Sequence, residues 1–249
     1  MKVFNLGDVN FKYREIPVIK GTVFDIFGGI AQGMVGIEGQ AGSGKTQLLM
    51  RLIADISKQE PVMVVLTEQS VDRWYALFDK YIKHGLANKD NINITFSYTI
   101  NDKLIDELKN TKERVIVFDS VSGGLTEQNA RAIVKKMRIE LSEFKKKWVI
   151  GAYQVRKEGV AGGEGVLHNV EILYTINSFQ LKPQNRWLYG KLMNYGYEYG
   201  DDVRLIKCEY DKLQGVKNRN IIIVDFDKDG IVNLVDLGKK EQSQDENKD

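Results

Sequence analysis

The stretch GQAGSGKT, residues 39–46, constrains this chain more than any other segment. Gly39, Gly44, Lys45 and Thr46 hold the set positions of G-x-x-x-x-G-K-[ST], with the apolar MVGI before them and the helical pattern QLLMRLIADI after them. A strand, a tight glycine loop and a helix in that order turn successive backbone N–H groups around Gly42 and Gly44 into one concavity. The helix N-terminus adds its positive dipole, so phosphate is the expected occupant. The run Gly39, Gln40, Ala41, Gly42, Ser43, Gly44, Lys45, Thr46 and Gln47 is therefore expected to hold the phosphates of a nucleotide, with Lys45 reaching the β and γ phosphates. Thr46 is placed to ligate Mg²⁺, and RVIVFDS supplies a second metal-side group, Asp119, at the end of a buried strand.

The rest of the chain reads as an α/β protein. Apolar runs at MVGIEG, VMVVLTE, NITFSYT, RVIVFDS, WVIGAYQ and VEILYTI alternate with amphipathic segments, the pattern of a mostly parallel central sheet flanked by helices. In VDRWYALFDKYI the periodicity predicts one core stripe of Val71, Trp74, Tyr75, Phe78 and Ile82. A later stripe comprises Ala130, Ile133, Val134, Met137, Leu141 and Phe144. After residue 200, VRLIKCEY, IIIVDFD and GIVNLV predict antiparallel strands at the C-terminal side. The expected organisation is an N-terminal extension over 1–19, one α/β nucleotide-binding domain over 20–237 with an insertion hairpin at 178–202, and a disordered tail over 238–249.

Composition narrows the partners. The 36 basic and 34 acidic residues leave a formal charge of +2, so any nucleic-acid surface must be local. A lone cysteine, Cys208, leaves no material for an intramolecular disulfide or a multi-cysteine zinc module. No segment approaches the ~20 apolar residues of a membrane span, and the N-terminus lacks an apolar targeting core, so a cytoplasmic protein without a membrane partner is expected.

Hydrolysis needs a group that activates water. The strand after the first helix ends in LTEQS, which puts Glu68 at the carboxyl edge of the sheet beside the glycine loop; the alternative is that Glu68 caps the helix starting near Ser70.

At these residues the sequence resembles the RecA/RadA/KaiC group of P-loop ATPases. FGGIAQGMVGIEGQAGSGKTQL is similar to that group's lead-in and phosphate loop, VVLTEQS to its catalytic-glutamate strand, and VIVFDSVSGG to its second nucleotide motif. Many members carry Glu where this chain has Gln69. YQVRKEGVAGGEGVLHNVEILYTI resembles bacterial RadA and KaiC-like proteins and implies a sensor at Gln154. VKNR resembles the element through which one subunit reaches its neighbour's γ-phosphate and implies catalytic roles for Lys217 and Arg219. The same resemblance implies a RecA-like fold, a homo-oligomer such as a hexameric ring or filament, and a DNA-binding loop carrying Arg156 and Lys157. The chain has room for neither the zinc module nor the protease-like domain of bacterial RadA, and for one ATPase domain where KaiC has two. A single-domain RadA paralogue or KaiC-like protein is the expectation. The implied function is Mg²⁺-dependent ATP hydrolysis on or with single-stranded DNA in recombination, repair or replication, alongside recombinase or replication proteins. The alternatives are an ATP-dependent regulatory module and KaiC-like phosphotransfer.

Two other segments attract attention. DFDKDGIVNLVD, residues 225–236, imitates a calcium loop, but its strand-like flanks predict a hairpin turn with Gly230 at positive φ. Residues 178–202 interleave Lys182, Arg186 and Lys191 with Phe179, Trp187 and several tyrosines, a mixture suited either to single-stranded nucleic acid or to packing on the domain or on an adjacent subunit.

Overall fold

The computed structural model describes residues 15–126, 128–156, 159–160, 164–215 and 222–238. A short pair, β1 (Val18–Ile19) and β2 (Ile30–Ala31), leads into β3 (Met34–Gly39), α1 (Lys45–Ser57), β4 (Val62–Leu66), α2 (Val71–Lys83) and β5 (Ile92–Phe96). There follow α3 (Asp102–Lys109), β6 (Val115–Asp119), α4 (Ala130–Lys136) with a π-helical continuation (Met137–Phe144), β7 (Trp148–Arg156) and β8 (Gly159–Val160). The chain then runs through β9 (Ile172–Gln180), α5 (Arg186–Leu192), β10 (Asp202–Asp211), β11 (Ile222–Phe226) and β12 (Val232–Asp236).

The main sheet runs β12-β11-β10-β9-β3-β7-β6-β4-β5. Pairing is parallel from β5 through β9 and antiparallel from β9 to β12. The protein is thus α/β, with a mostly parallel central sheet, flanking helices and antiparallel C-terminal strands. Burial on both faces explains why the parallel strands are apolar without alternation. Val62, Val64, Val115, Val117 and Ile150 face α1 and α2, whereas Val65, Ile116, Phe118 and Val149 face α3 and α4. No helix among the described residues is long and apolar enough to cross a membrane.

The structure departs from the periodicity reading at three places. On α2 the buried stripe is Trp74, Phe78 and Tyr81, while Val71 and Tyr75 are 38% and 47% exposed. Spacings of four and three residues align the three aromatic rings, and Trp74 stacks on Phe78 at 4.7 Å. Phe144, expected in the core, is 70% exposed. It ends the π-helical segment, whose wider turns rotate it out of the stripe formed by Ile133, Met137 and Leu141. Residues 178–202 join two antiparallel strands as a hairpin would, but the connection carries helix α5. Leu188 and Leu192 bury against Val203 and Ile223, and Tyr189, Tyr195 and Tyr197 pack around them, so most of the tyrosines serve this small core.

The turn after β11 behaves as expected, with Gly230 at φ 71° and Asp227 Oδ1 accepting from the N–H groups of Asp229 and Ile231. Val18–Ile19, counted from sequence with the N-terminal extension, pairs with β2. The remainder of that extension up to residue 14, and tail residues 239–249, lie outside the described residues.

The α2 assignment is checked by two substitutions. Phe78→Ala should lower unfolding free energy by about 3–5 kcal/mol, the usual cost of an aromatic core truncation. Tyr75→Ala should change it by less than about 1 kcal/mol. Urea titrations giving equal losses would contradict the buried stripe.

Candidate functional site

The glycine loop leaves the carboxyl end of β3 at the middle of the sheet. Its geometry needs glycine where it occurs. A Cβ on Gly39 would lie 2.6 Å from both the Ile176 carbonyl oxygen and Ser43 Oγ, and Gly42 and Gly44 take φ values of 77° and 98°. Gly44 is the N-cap of α1, which makes no side-chain cap. The first N–H groups of a helix have no intrahelical partner, so this loop presents donors.

Lys45 folds over the loop and donates from Nζ to the Gly39 and Gln40 carbonyls, each at 2.8 Å. Burial pushes its ammonium below the ordinary lysine range, and the Glu68 and Asp119 carboxylates oppose that shift. Thr46 donates from Oγ1 to Asp119 Oδ1 at 3.0 Å. Gln69 donates from Nε2 to Asp119 Oδ2 at 3.1 Å. Only 4% exposed, Asp119 is raised to about 6 by burial, with Glu68 adding to the shift and the Thr46 and Gln69 hydrogen bonds opposing it.

Glu68 follows β4 as Asp119 ends β6, and a reciprocal clasp sets their separation. Thr67 Oγ1 donates to the Ser120 carbonyl at 2.7 Å and accepts from the Ser120 N–H at 3.1 Å. The Thr67 N–H donates to the Asp119 carbonyl at 3.1 Å. Beyond the clasp, Ser120 Oγ donates to Glu68 Oε1 at 2.6 Å and accepts from the Gly123 N–H at 3.0 Å. A Cβ on Gly123 would come within 2.2 Å of Glu68 Cγ, so the glycine makes room for the glutamate. Glu68 does not cap α2; Ser70 does, accepting from the Arg73 N–H.

Lys45, Thr46, Glu68, Asp119 and Ser120 line one cleft of about 440 Å³, together with Ala41, Gly42, Gly44, Gln47, Ala152 and Gln154. Gln154 pairs in register with Gly39, and its N–H donates to Ser122 Oγ at 2.8 Å. Gln47 accepts at Oε1 from Lys80 Nζ at 3.0 Å, which ties the start of α1 to α2. Gly39 and Gln40 contribute through the carbonyls that hold Lys45, and Ser43 is buried beneath the loop.

The structure therefore brings together Lys45, Thr46, Glu68, Asp119 and Gln154 from positions far apart in sequence. Lys157, Lys217, Arg219 and the side chain of Arg156 lie outside the described residues. Sequence reasoning missed Ser120 and Gly123, which seat Glu68, and Arg204 and Phe226, which form another wall of the cleft. Gln69, which departs from the pattern of the resembling family, is in the structure a donor to Asp119. Among the described residues no cluster of three or more His, Cys, Asp or Glu side chains is arranged to hold a metal ion by itself. Thr46 and Asp119, whose oxygens lie 3.0 Å apart, are the residues here that could hold one with further ligands from elsewhere. Comparison of the chain with protein-family models finds no match, and comparison with curated proteins finds none.

Asp119 makes folding stability depend on pH. Its folded value of about 6 lies above the unfolded value of 3.8, so the folded state holds the extra proton between those limits. Stability falls as pH rises through that window, by roughly 3 kcal/mol for a shift of this size. Asp119→Asn, whose amide can pair with both Thr46 and Gln69, should be more stable than the parent by roughly 1–3 kcal/mol at pH 7.5, with the difference vanishing near pH 4. Urea unfolding of the ligand-free proteins at both pH values measures this, and a pH-independent difference would contradict it.

Proposed function

We propose that this chain is a Mg²⁺-dependent ATPase of the RecA-like P-loop type that acts on or with single-stranded DNA. The observation that carries the proposal is the convergence of Lys45, Thr46, Asp119 and Glu68 on one cleft from the ends of three parallel strands. The buried Asp119 carboxylate, 3.0 Å from a hydroxyl oxygen and short of positive charge, suits a hard divalent cation with oxygen ligands. Thr46 and Asp119 are the residues that would hold it. Bound there, Mg²⁺ would neutralise charge on the β and γ phosphate oxygens.

The chain's own groups have separable tasks. The loop N–H groups bind the phosphates, and Lys45 exchanges its two carbonyl contacts for phosphate oxygens. Glu68, held by Ser120, orients water and accepts its proton. Gln154, on β7 opposite Gly39, is suited to report the state of the terminal phosphate.

Assembly and DNA binding rest on the sequence resemblance. Lys217 and Arg219 would act from one subunit on the site of the next in a ring or filament, and Arg156 and Lys157 would contact DNA.

Three measurements test this reading. Lys45→Ala should abolish most ATP affinity in a folded protein. Glu68→Gln should keep ATP affinity while turnover falls by ~10²-fold or more, the scale for losing a positioned general base. ATP hydrolysis by the parent should rise on adding single-stranded DNA. Wild-type turnover in Glu68→Gln would remove Glu68 from the chemistry, and ATP binding without turnover in the parent would point to a regulatory module.

A further inference from the structure

One wall of the cleft is built by residues that the phosphate chemistry does not use. Arg204, near the start of β10, and Phe226, the last residue of β11, both line it. The Arg204 guanidinium carbon lies 5.1 Å from the Phe226 ring centroid. The pair abuts the glycine loop, since a Cβ on Gly44 would sit 3.4 Å from Arg204 Cδ and 3.7 Å from Phe226 Cζ. Arg204 Nε is buried and has no hydrogen-bond partner among the described residues.

Sheet order gives this wall a direction. On one side of β3 lie β7, then β6 and β4 with Asp119 and Glu68; on the other lie β9, then β10 and β11 with Arg204 and Phe226. A nucleotide stretched along the loop with its terminal phosphates toward Asp119 and Glu68 has its base toward Arg204 and Phe226.

We propose that Arg204 and Phe226 form the base subsite, in which a purine stacks on the guanidinium plane and the Phe226 ring backs that plane. The proposal rests on the nucleotide reading above. A guanidinium is flat, weakly hydrated and able to lie between two aromatic faces, which lysine cannot do. Stacking reads the face of a base and not its edge, so it discriminates little between adenine and guanine. The substrate class is therefore purine nucleoside triphosphates, and not ATP alone.

The test is calorimetric binding of ATP, GTP and inorganic tripolyphosphate, each with Mg²⁺, to the parent chain and to Lys45→Ala, Arg204→Ala, Phe226→Ala and Phe226→Tyr. In the parent, ATP and GTP should bind within about fivefold of each other and more tightly than tripolyphosphate. Arg204→Ala and Phe226→Ala should each weaken ATP and GTP by about tenfold or more and leave tripolyphosphate unchanged. Phe226→Tyr, which keeps the ring, should behave as the parent, and Lys45→Ala should lose all three ligands. Should Phe226→Ala not fold, Arg204→Ala with Phe226→Tyr still decides the matter. Parental ATP affinity in Arg204→Ala overturns the subsite, as does an equal loss for tripolyphosphate, which would make Arg204 a phosphate ligand. A parent that binds tripolyphosphate and ATP equally well removes the base subsite alone; a parent that binds none of the three removes the nucleotide reading itself.

Discussion

Parallel pairing of β3 on both of its edges, to β7 and to β9, is the constraint from which the cleft follows. With both edges occupied, the backbone of β3 is satisfied along its length, and the chain must leave the sheet at Gly39 without stealing a hydrogen bond from either neighbour. The tight approach of Gly39 to the Ile176 carbonyl marks that exit. Because β4, β6 and β7 run parallel to β3, their last residues arrive at the same edge. Residues remote in sequence, Glu68, Asp119 and Gln154, therefore reach a loop whose own donors have no partners within the helix.

The cost of that convergence is concentrated in Asp119. A carboxylate at this depth is stable only to the extent that Thr46 and Gln69 donate to it, and burial still outweighs them. Gln69 has a clear physical part: a glutamate at this position would add to the Glu68 charge already opposing Asp119, whereas the amide offers a donor. The Thr67–Ser120 clasp keeps the ends of β4 and β6 from drifting apart, and through Ser120 Oγ it also holds Glu68. Rigidity and chemical potential are thus supplied by the same few hydrogen bonds. A site that stores an undercompensated charge is suited to bind a cation tightly when one is offered with a ligand.

The antiparallel half of the sheet does different work. β10 and β11 carry Arg204 and Phe226 to the cleft on one side, and on the α5 face Val203 and Ile223 anchor the small core under Leu188 and Leu192. The turn between β11 and β12 is tied back to the glycine loop through Lys80, which donates to the Gly230 carbonyl and to Gln47 Oε1. Displacement of this hairpin would thus be felt at the start of α1.

The sequence by itself determined the parts of the protein whose physics is local. Glycines at positive φ beside Lys45 and Thr46, apolar strands bounded by Asp119 and by Thr67–Glu68, and the Asp227–Gly230 turn all depend on a few neighbouring residues, so each was legible. The α/β architecture followed because strands buried on both faces and helices buried on one leave different patterns. Only the tertiary structure decided which α2 face is inward, because Val71 and Tyr75 are as apolar as the residues that are buried, and packing on α1 and β5, not composition, selects Trp74, Phe78 and Tyr81. It alone decided that Ser120 and Gly123 serve Glu68, since that pairing requires β4 and β6 to be neighbours in space. Arg204 and Phe226 were illegible for the same reason: nothing near them in sequence resembles a binding motif, and they reach the loop only because β9, β10 and β11 stack in register beside β3.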